Sequence, residues 1–241
     1  GDWRVFSGQF FGTFNERRHV RDLGDLGGDT RWFRSLDWGH NKPGCWGWWA
    51  ILPDGRLYKR SDRKFMGESV QVNAEHLKTK TRELNIAKVT YNVADPSVFI
   101  KTGLVGAREA RFIGQSIGET FGLNGVTVVR GDNDRYNGWQ RMHDILRDAP
   151  DGDPWLIFHP DCRYTVRSMS AATSDPNDPD DVDTDSDDHA LDETRYGAMS
   201  RPHPLHVQKQ KKTFAEGTMG ALRHSVKRIT DRLGSESVYH A

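Results

Sequence analysis

The chain lacks the features of a membrane or secreted protein. None of its 241 residues lie in a run of about 18 apolar side chains, the length that a bilayer-spanning helix needs. Its first residues do not combine a charged start with an apolar core, so we expect no signal peptide. Only two cysteines occur, Cys45 and Cys162, which suits a reducing compartment better than a disulfide framework. We therefore expect a cytoplasmic protein without a membrane partner.

An excess of charge of one sign is also missing, because 34 basic residues balance 34 acidic ones. The net charge of zero therefore says nothing about nucleic acid, whereas the distribution of charge does. Residues 175–192 hold nine Asp and no Lys or Arg, and residues 201–232 hold eight Lys or Arg against two acids. We expect three regions: an arm over 1–28, a folded domain over 29–200 and a basic tail over 201–241.

Hydrophobic periodicity predicts a mixed α/β fold. Residues 45–52 and 56–59 read as a hairpin around the turn Pro53-Asp54-Gly55. After it, a helix that Ser69 caps is followed by alternating strands and helices, and this order is typical of a mixed sheet flanked by helices. The other predicted strands are 32–37, 89–93, 126–129 and 155–158, and the other predicted helices are 113–121, one around Trp139–Leu146, 163–172 and 188–199.

Acidic residues follow two of the predicted strands and begin the last helix. Asp37 and Asp95 stand at strand ends, and Asp187 and Asp188 stand at the helix start. Three carboxylates from such positions can converge on one point and bind the Mg²⁺ or Mn²⁺ ions used for phosphodiester cleavage. This is the ribonuclease H-like plan, in which two ions lie roughly 4 Å apart. No convincing Ser/His or Cys/His arrangement offers a side-chain nucleophile instead.

Other interpretations of the same acids remain open. A single Asp at a strand end usually caps a turn, and Asp187 and Asp188 would suit a helix N-terminus by the dipole alone. A calcium-binding loop can be counted over Asp181–Asp192, but Ser186 stands where glycine is required and Asp192 where glutamate is required.

In order and spacing, several short motifs resemble the nuclease domain of the large terminase subunit of tailed bacteriophages. The resemblance covers about residues 1–200 and lacks the phosphate-binding loop of the ATPase half of that family. The matching pieces are Gly1-Asp2-Trp3, Gly8-Gln9-Phe10-Phe11, His19-Val20, Leu36-Asp37-Trp38-Gly39, Ala94-Asp95-Pro96, Asn133-Asp134-Arg135, Gly138-Trp139, Asp183-Thr184, Asp188-His189-Ala190-Leu191-Asp192 and Arg195-Tyr196.

The resemblance implies a ribonuclease H-like endonuclease that uses two Mg²⁺ or Mn²⁺ ions. Asp37, Asp95 and Asp188 would be the catalytic metal ligands, and Asp187, His189 and Asp192 could join the metal shell. The substrate would be double-stranded DNA, cut with little sequence preference during genome packaging in the host cell cytoplasm. Portal protein and the small terminase subunit are the implied partners, and residues 1–28 would follow an ATPase domain that this chain does not contain.

Two alternative functions stay open beside this one. The first is a nuclease of the same fold that cuts RNA–DNA hybrids or DNA junctions, and the second is a non-catalytic docking module of the packaging motor. A carboxylate-lined cleft repels phosphate, so basic residues must hold the DNA. The candidates for this role are Arg135, Lys209, Lys211 and Lys212, although the basic tail could bind a protein partner instead.

Overall fold

Six strands, six helices and a short 3₁₀ helix make up the part of the chain that the computed structural model describes, residues 9–28, 30–39, 41–101, 114–183 and 187–201. All of these residues belong to one unit, residues 1–204. The strands are β1 (Arg31–Asp37), β2 (Gly44–Ile51), β3 (Leu57–Phe65), β4 (Val89–Ala94), β5 (Val129–Arg130) and β6 (Leu156–Phe158). The helices are α1 (Glu16–His19), α2 (Val70–Glu83), α3 (Ile117–Leu123), α4 (Arg135–Ile145), α5 (Arg163–Ala171) and α6 (His189–Met199), and the 3₁₀ helix spans Pro96–Phe99.

The strands form one mixed sheet in the order β5-β4-β1-β2-β3-β6. The first three strands are consecutive antiparallel neighbours. On one side β4 and β5 continue from β1 in parallel, and on the other side β6 runs parallel to β3. The predicted fold class, a mixed sheet that starts with antiparallel hairpins and is flanked by helices, is confirmed.

Helices cover both faces of the sheet, which explains why β2 is apolar throughout. Trp46 and Trp48 point to one face, where they belong to the same buried cluster as residues of α2. Trp49 points to the other face, where its indole lies against α6. Every residue of β2 is buried, so the strand shows no alternation of apolar and polar residues. The three tryptophans are core residues.

The described part of the predicted arm, residues 9–28, is packed against the domain. Phe10, Phe11 and Phe14 are buried in the cluster that also contains Trp139 and Phe158. Backbone bridges tie Gln9 to Thr173 and Val20 to Phe158. These phenylalanines lack a helical or strand period because they lie around a turn and one short helix. The folded core therefore includes residues before the expected boundary at residue 29.

Three predicted elements differ in extent from the structure. The second hairpin strand, expected over 56–59, continues to Phe65 as β3. The strand expected over 126–129 is β5, which begins only at Val129, because Val126 and Val128 bury their side chains in the core and backbone pairing is confined to Val129 and Arg130. The helix expected over 113–121 is α3, which begins after Ser116 because Ser116 and Glu119 form a reciprocal capping box. Among the described residues, no helix has the length and apolar character that crossing a bilayer requires.

Candidate functional site

The parallel pairing of β1 with β4 brings two of the predicted acids to the same edge of the sheet. Leu36 and Ala94 are register partners, and the amide of Asp95 donates to the carbonyl oxygen of Leu36 at 3.0 Å. Asp37 and Asp95 are the residues that follow this pair. Because paired positions of neighbouring strands point to the same face, both carboxylates leave the sheet side by side.

Asp95 also has the local role that a lone aspartate at a strand end would have. Its Oδ1 accepts from the amide of Ser97 at 2.8 Å, and its Oδ2 accepts from the Ser97 hydroxyl at 2.7 Å. These bonds begin the 3₁₀ helix and fix the direction of the carboxylate. Capping a turn and presenting a ligand are therefore compatible at this position.

Asp37 is a buried carboxylate, with only 7% of its surface exposed. Burial raises its pKa to about 7, and the charges of Asp192 and Asp95 add to this effect. His189 Nδ1 lies 2.9 Å from Asp37 Oδ2. This hydrogen bond lowers the pKa of Asp37 and so opposes the effect of burial. The same hydrogen bond raises the pKa of His189. Asp37 thus lies where burial and neighbouring carboxylates together disfavour its ionised form.

The adjacent residues Asp187 and Asp188 point in different directions. Asp188 is buried at the start of α6, and its pKa is raised by burial and by Asp192. Its side chain makes no capping hydrogen bond to the helix. Asp187 is exposed and instead pairs with Lys64 and with the Tyr164 hydroxyl. The structure therefore groups Asp188, rather than Asp187, with His189 and Asp192.

Two arginines bind this acidic group: Arg195 lies 3.0 Å from Asp192 Oδ1, and Arg135 contacts several of the acids. The Arg135 guanidinium binds Asp181 at 2.9–3.1 Å and Asp192 at 3.0–3.2 Å, and it lies 3.9 Å from Asp188. Trp139 Nε1 donates to Asp181 Oδ1 at 2.6 Å and strengthens the same cluster. Arg135, a candidate for DNA contact, is therefore placed among carboxylates, and a DNA contact stays a prediction.

A calcium loop is not supported by these positions, because Asp181 and Asp187 serve separate partners. Lys209, Lys211 and Lys212 lie outside the described residues, as do residues 1–8 and 184–186.

Sequence reasoning missed the most deeply buried polar cluster, which lies under α6. Glu193 accepts from Ser35 and Lys59 and, at 3.2 Å, from Trp49 Nε1. Lys59 also donates to the hydroxyls of Thr165 at 2.7 Å and Thr194 at 2.8 Å. Glu193 and Lys59 are both fully buried, so their charges stabilise each other, and the neighbouring hydroxyl and indole groups complete the network.

One signal for this cluster is present in the sequence. Gly47 interrupts a strand of large residues, and a β-carbon there would lie 2.0 Å from Glu193 Oε1. The carboxylate therefore fits only over a glycine. Lys59 is a second signal, because it occupies a core-facing position of β3.

The donor chemistry at the strand ends fits a hard divalent cation. Aspartate oxygens are the ligands that Mg²⁺ and Mn²⁺ prefer. A bound cation would favour the ionised form of Asp37, which burial and neighbouring carboxylates disfavour. Within the described ranges, however, no three His, Cys, Asp or Glu side chains already surround one point. His189 and Arg135 instead occupy the carboxylates of Asp37 and Asp192.

Comparison with known proteins gives structural matches only. Neither a protein-family model nor a curated protein matches this sequence. The large terminase of a thermophilic bacteriophage has a TM-score of 0.61 at 20% identity, covering 80% of this chain and 45% of that one. This chain thus spans about 45% of the length of that terminase.

Separate nuclease domains match over most of their own length. The P22 large terminase nuclease domain has a TM-score of 0.61 at 16% identity, covering 81% of this chain and 93% of that one. The large terminase nuclease of thermophilic phage G20c with bound cobalt has a TM-score of 0.51 at 8% identity, with coverages of 80% and 97%. The chain therefore has the ribonuclease H-like fold of large terminase nuclease domains.

Proposed function

We propose that this chain is a metal-dependent endonuclease of a phage packaging motor and that it cuts double-stranded DNA with low sequence preference. The observation that carries the proposal is the position of Asp37, Asp95 and Asp188. Two of them end neighbouring parallel strands, and the third begins the helix that packs on those strands. The fold shared with large terminase nuclease domains supports the same interpretation.

Asp37, Asp95 and Asp188 are the residues that would hold two Mg²⁺ or Mn²⁺ ions. Such ions, when bound, activate the attacking water and stabilise the departing 3′ oxygen. Asp37 would release its proton on binding a cation, because the nearby positive charge favours the ionised carboxylate. Without a cation, His189 and Arg135 keep Asp37 and Asp192 hydrogen-bonded. Asp187 faces Lys64 and does not belong to this ligand set.

The wider setting is part of the proposal. One of the matching structures is a large terminase of which this chain covers 45%. We infer that the natural partners are double-stranded DNA, an ATPase part of the motor, the portal protein and the small terminase subunit. The place of action would be the cytoplasm of the infected host.

The direct test is cleavage of plasmid DNA by the purified chain. We expect nicking and linearisation with Mg²⁺ or Mn²⁺. Ca²⁺ should support little cleavage, because its looser coordination aligns the attacking water poorly. EDTA should stop the reaction, and robust cleavage in EDTA would falsify the metal-dependent mechanism.

A comparison of substrates separates the alternatives. We expect duplex DNA to be cut at least as fast as an RNA–DNA hybrid or a four-way junction. Preference for the hybrid or the junction would identify a different nuclease of this fold. A folded chain that cuts none of them with any of the metals would favour the docking module.

A further inference from the structure

A row of three register partners connects Asp37 to Lys64, which lies on the far side of β2. Lys64 belongs to a basic surface that also contains Arg163 and Arg167. Asp37 on β1 pairs with Cys45 on β2, and Cys45 pairs with Lys64 on β3. Neighbouring strands are about 4.8 Å apart, so the backbones at Asp37 and Lys64 are about 10 Å apart. This distance is roughly the rise of three base pairs, at about 3.4 Å each, along the axis of duplex DNA.

Helix α5 continues the basic surface beyond Lys64. Arg163 and Arg167 are one helical turn apart and exposed, so their side chains extend from the same face of the helix. Together with Lys64, Tyr164, Ser168 and Asp187 they line a cleft of about 550 Å³. The cleft lies on the β3 side of Asp37, whereas Asp95 lies on the β4 side.

The two arginines are uncompensated. In the described part of the chain neither has an ion pair or a hydrogen-bonded side chain, whereas Arg18, Arg21 and Arg60 each bind an aspartate. Exposed cations without carboxylate partners attract phosphate. Lys64 is different, because its ammonium group is held by Asp187 and lies 4.6 Å from the centre of the Tyr164 ring.

We propose that Lys64, Arg163 and Arg167 form a phosphate-binding track that holds one strand of the DNA backbone beside Asp37. The inference rests on the proposed nuclease function and assigns the side of the site from which the strand enters. Asp187 occupies the place of a phosphate on Lys64 when DNA is absent. DNA binding therefore exchanges one anionic partner of Lys64 for another.

The test is the salt dependence of binding to duplex DNA in EDTA, which prevents cleavage. Each lost phosphate contact lowers the slope of log affinity against log salt by about 1. We expect Lys64→Met to lower the slope by about 1 and the double variant Arg163→Gln/Arg167→Gln to lower it by about 2. Thermal unfolding verifies that each variant is folded.

Matched controls remove the same charges elsewhere. Lys88 is exposed just before β4, at the opposite end of the strand from Asp95, so Lys88→Met controls for Lys64→Met. Lys78 and Arg82 are one turn apart on α2, which covers the other face of the sheet. Equal slopes for Lys78→Gln/Arg82→Gln and Arg163→Gln/Arg167→Gln would overturn the track.

The variant Asp187→Asn should change the affinity for DNA in the opposite direction. Removing the competing carboxylate should tighten DNA binding by wild-type Lys64, and the gain should vanish in the Lys64→Met background. The same gain in both backgrounds would overturn the role of Asp187 as a phosphate substitute.

Plasmid cleavage measured in parallel separates this proposal from the proposed function. A chain that cuts DNA but shows no change in slope for these variants contradicts the track alone. A chain that shows the predicted slopes but cuts no DNA supports the track and contradicts the nuclease. A wild-type chain that binds no DNA overturns both.

Discussion

Helix α6 carries two sets of carboxylates with contrasting surroundings. Glu193 is fully buried, and lysine, serine and tryptophan donors from three strands satisfy it. Asp188 and Asp192 lie one turn apart nearer the edge of the sheet, and both lie beside Arg135. Burial raises the pKa of Asp188. One part of a single helix is thus anchored by a full set of donors, whereas burial and the charge of Asp192 disfavour the ionised form of Asp188 at its start.

The difference shows that one part of α6 fixes the helix in place while its start carries proposed metal-binding acids. The Glu193 network spans β1, β2, β3 and α5 and fixes the helix against them. A buried ion pair contributes little net stability, but breaking it is costly because one charge is left without a partner. The strand-end acids are held near one another by this anchoring, although their mutual repulsion would otherwise drive them apart. Removing a charge should therefore have opposite effects on stability: a loss at the Glu193 network and no loss at the proposed metal ligands.

The largest effect, a loss of cleavage, is expected at the three proposed metal ligands. Asp37→Asn, Asp95→Asn and Asp188→Asn should each abolish cleavage, because each removes a proposed metal ligand. Stability without metal should stay equal or rise, because repulsion among the acids decreases. Plasmid cleavage and thermal unfolding measure the two effects.

Two comparison variants complete this experiment. Asp144→Asn changes an exposed acid on α4 and should leave cleavage unaltered. Asp187→Asn should retain metal-dependent cleavage, with altered DNA affinity. If any of the first three variants keeps near-normal activity, that residue is not a ligand.

The next largest effect is expected at the buried pair. Lys59→Met should lower the free energy of unfolding by about 3–5 kcal/mol, because it leaves Glu193 charged and buried without its partner. Adding Glu193→Gln should recover part of the loss, since the uncompensated charge is removed. Urea unfolding of the two variants and the wild type measures both steps. Unchanged stability in Lys59→Met would contradict the anchoring role of the pair.

The sequence predicts the strand-end acids better than it predicts the buried pair. Asp37 ends one predicted strand and Asp95 comes just after another, and Ser69 caps its helix as expected. These features depend on residues close in the chain. Glu193 and Lys59 are 134 residues apart in sequence, so only the packing of α6 on the sheet brings them together. Local patterns do not contain that information.

The same reason explains the other differences from the sequence analysis. Phe10 and Phe11 pack against Trp139, which lies far along the chain. Arg135 meets Asp181 and Asp192 through contacts between α4, α6 and the acidic loop. The sequence shows a charged residue near a helix start, whereas the fold decides that it binds carboxylates.

The next prediction concerns the pH dependence of stability, to which Asp37 should contribute strongly. The pKa of Asp37 is raised from 3.8 to about 7, so between these values the folded state binds a proton that the unfolded state has lost. Stability without metal should therefore fall as the pH rises from 3.8 to about 7, by on the order of 4 kcal/mol from this group. The raised pKa of His189 acts in the same direction, because its contribution is present below 6.5 and is lost as pH rises through the folded value.

Unfolding of the wild type and Asp37→Asn in EDTA over this pH range measures the effect. The difference between the two curves isolates Asp37 from the exposed aspartates, which contribute to both. Mg²⁺ should reverse the trend for the wild type, because the cation binds the ionised carboxylate. Parallel curves for the two proteins would show that Asp37 is ionised throughout.

The smallest effect is expected from the basic tail, which belongs to neither carboxylate set. Deleting residues 203–241 removes Lys209, Lys211 and Lys212 together with the other tail cations. If the tail mainly serves a protein partner, the slope of log affinity against log salt should change by less than the value of about 2 expected for Arg163→Gln/Arg167→Gln. Cleavage should be retained, because the proposed ligands lie within the remaining chain. A slope reduced by several units would assign the tail to DNA, and loss of all cleavage from a truncated chain that is still folded would make the tail part of the active nuclease.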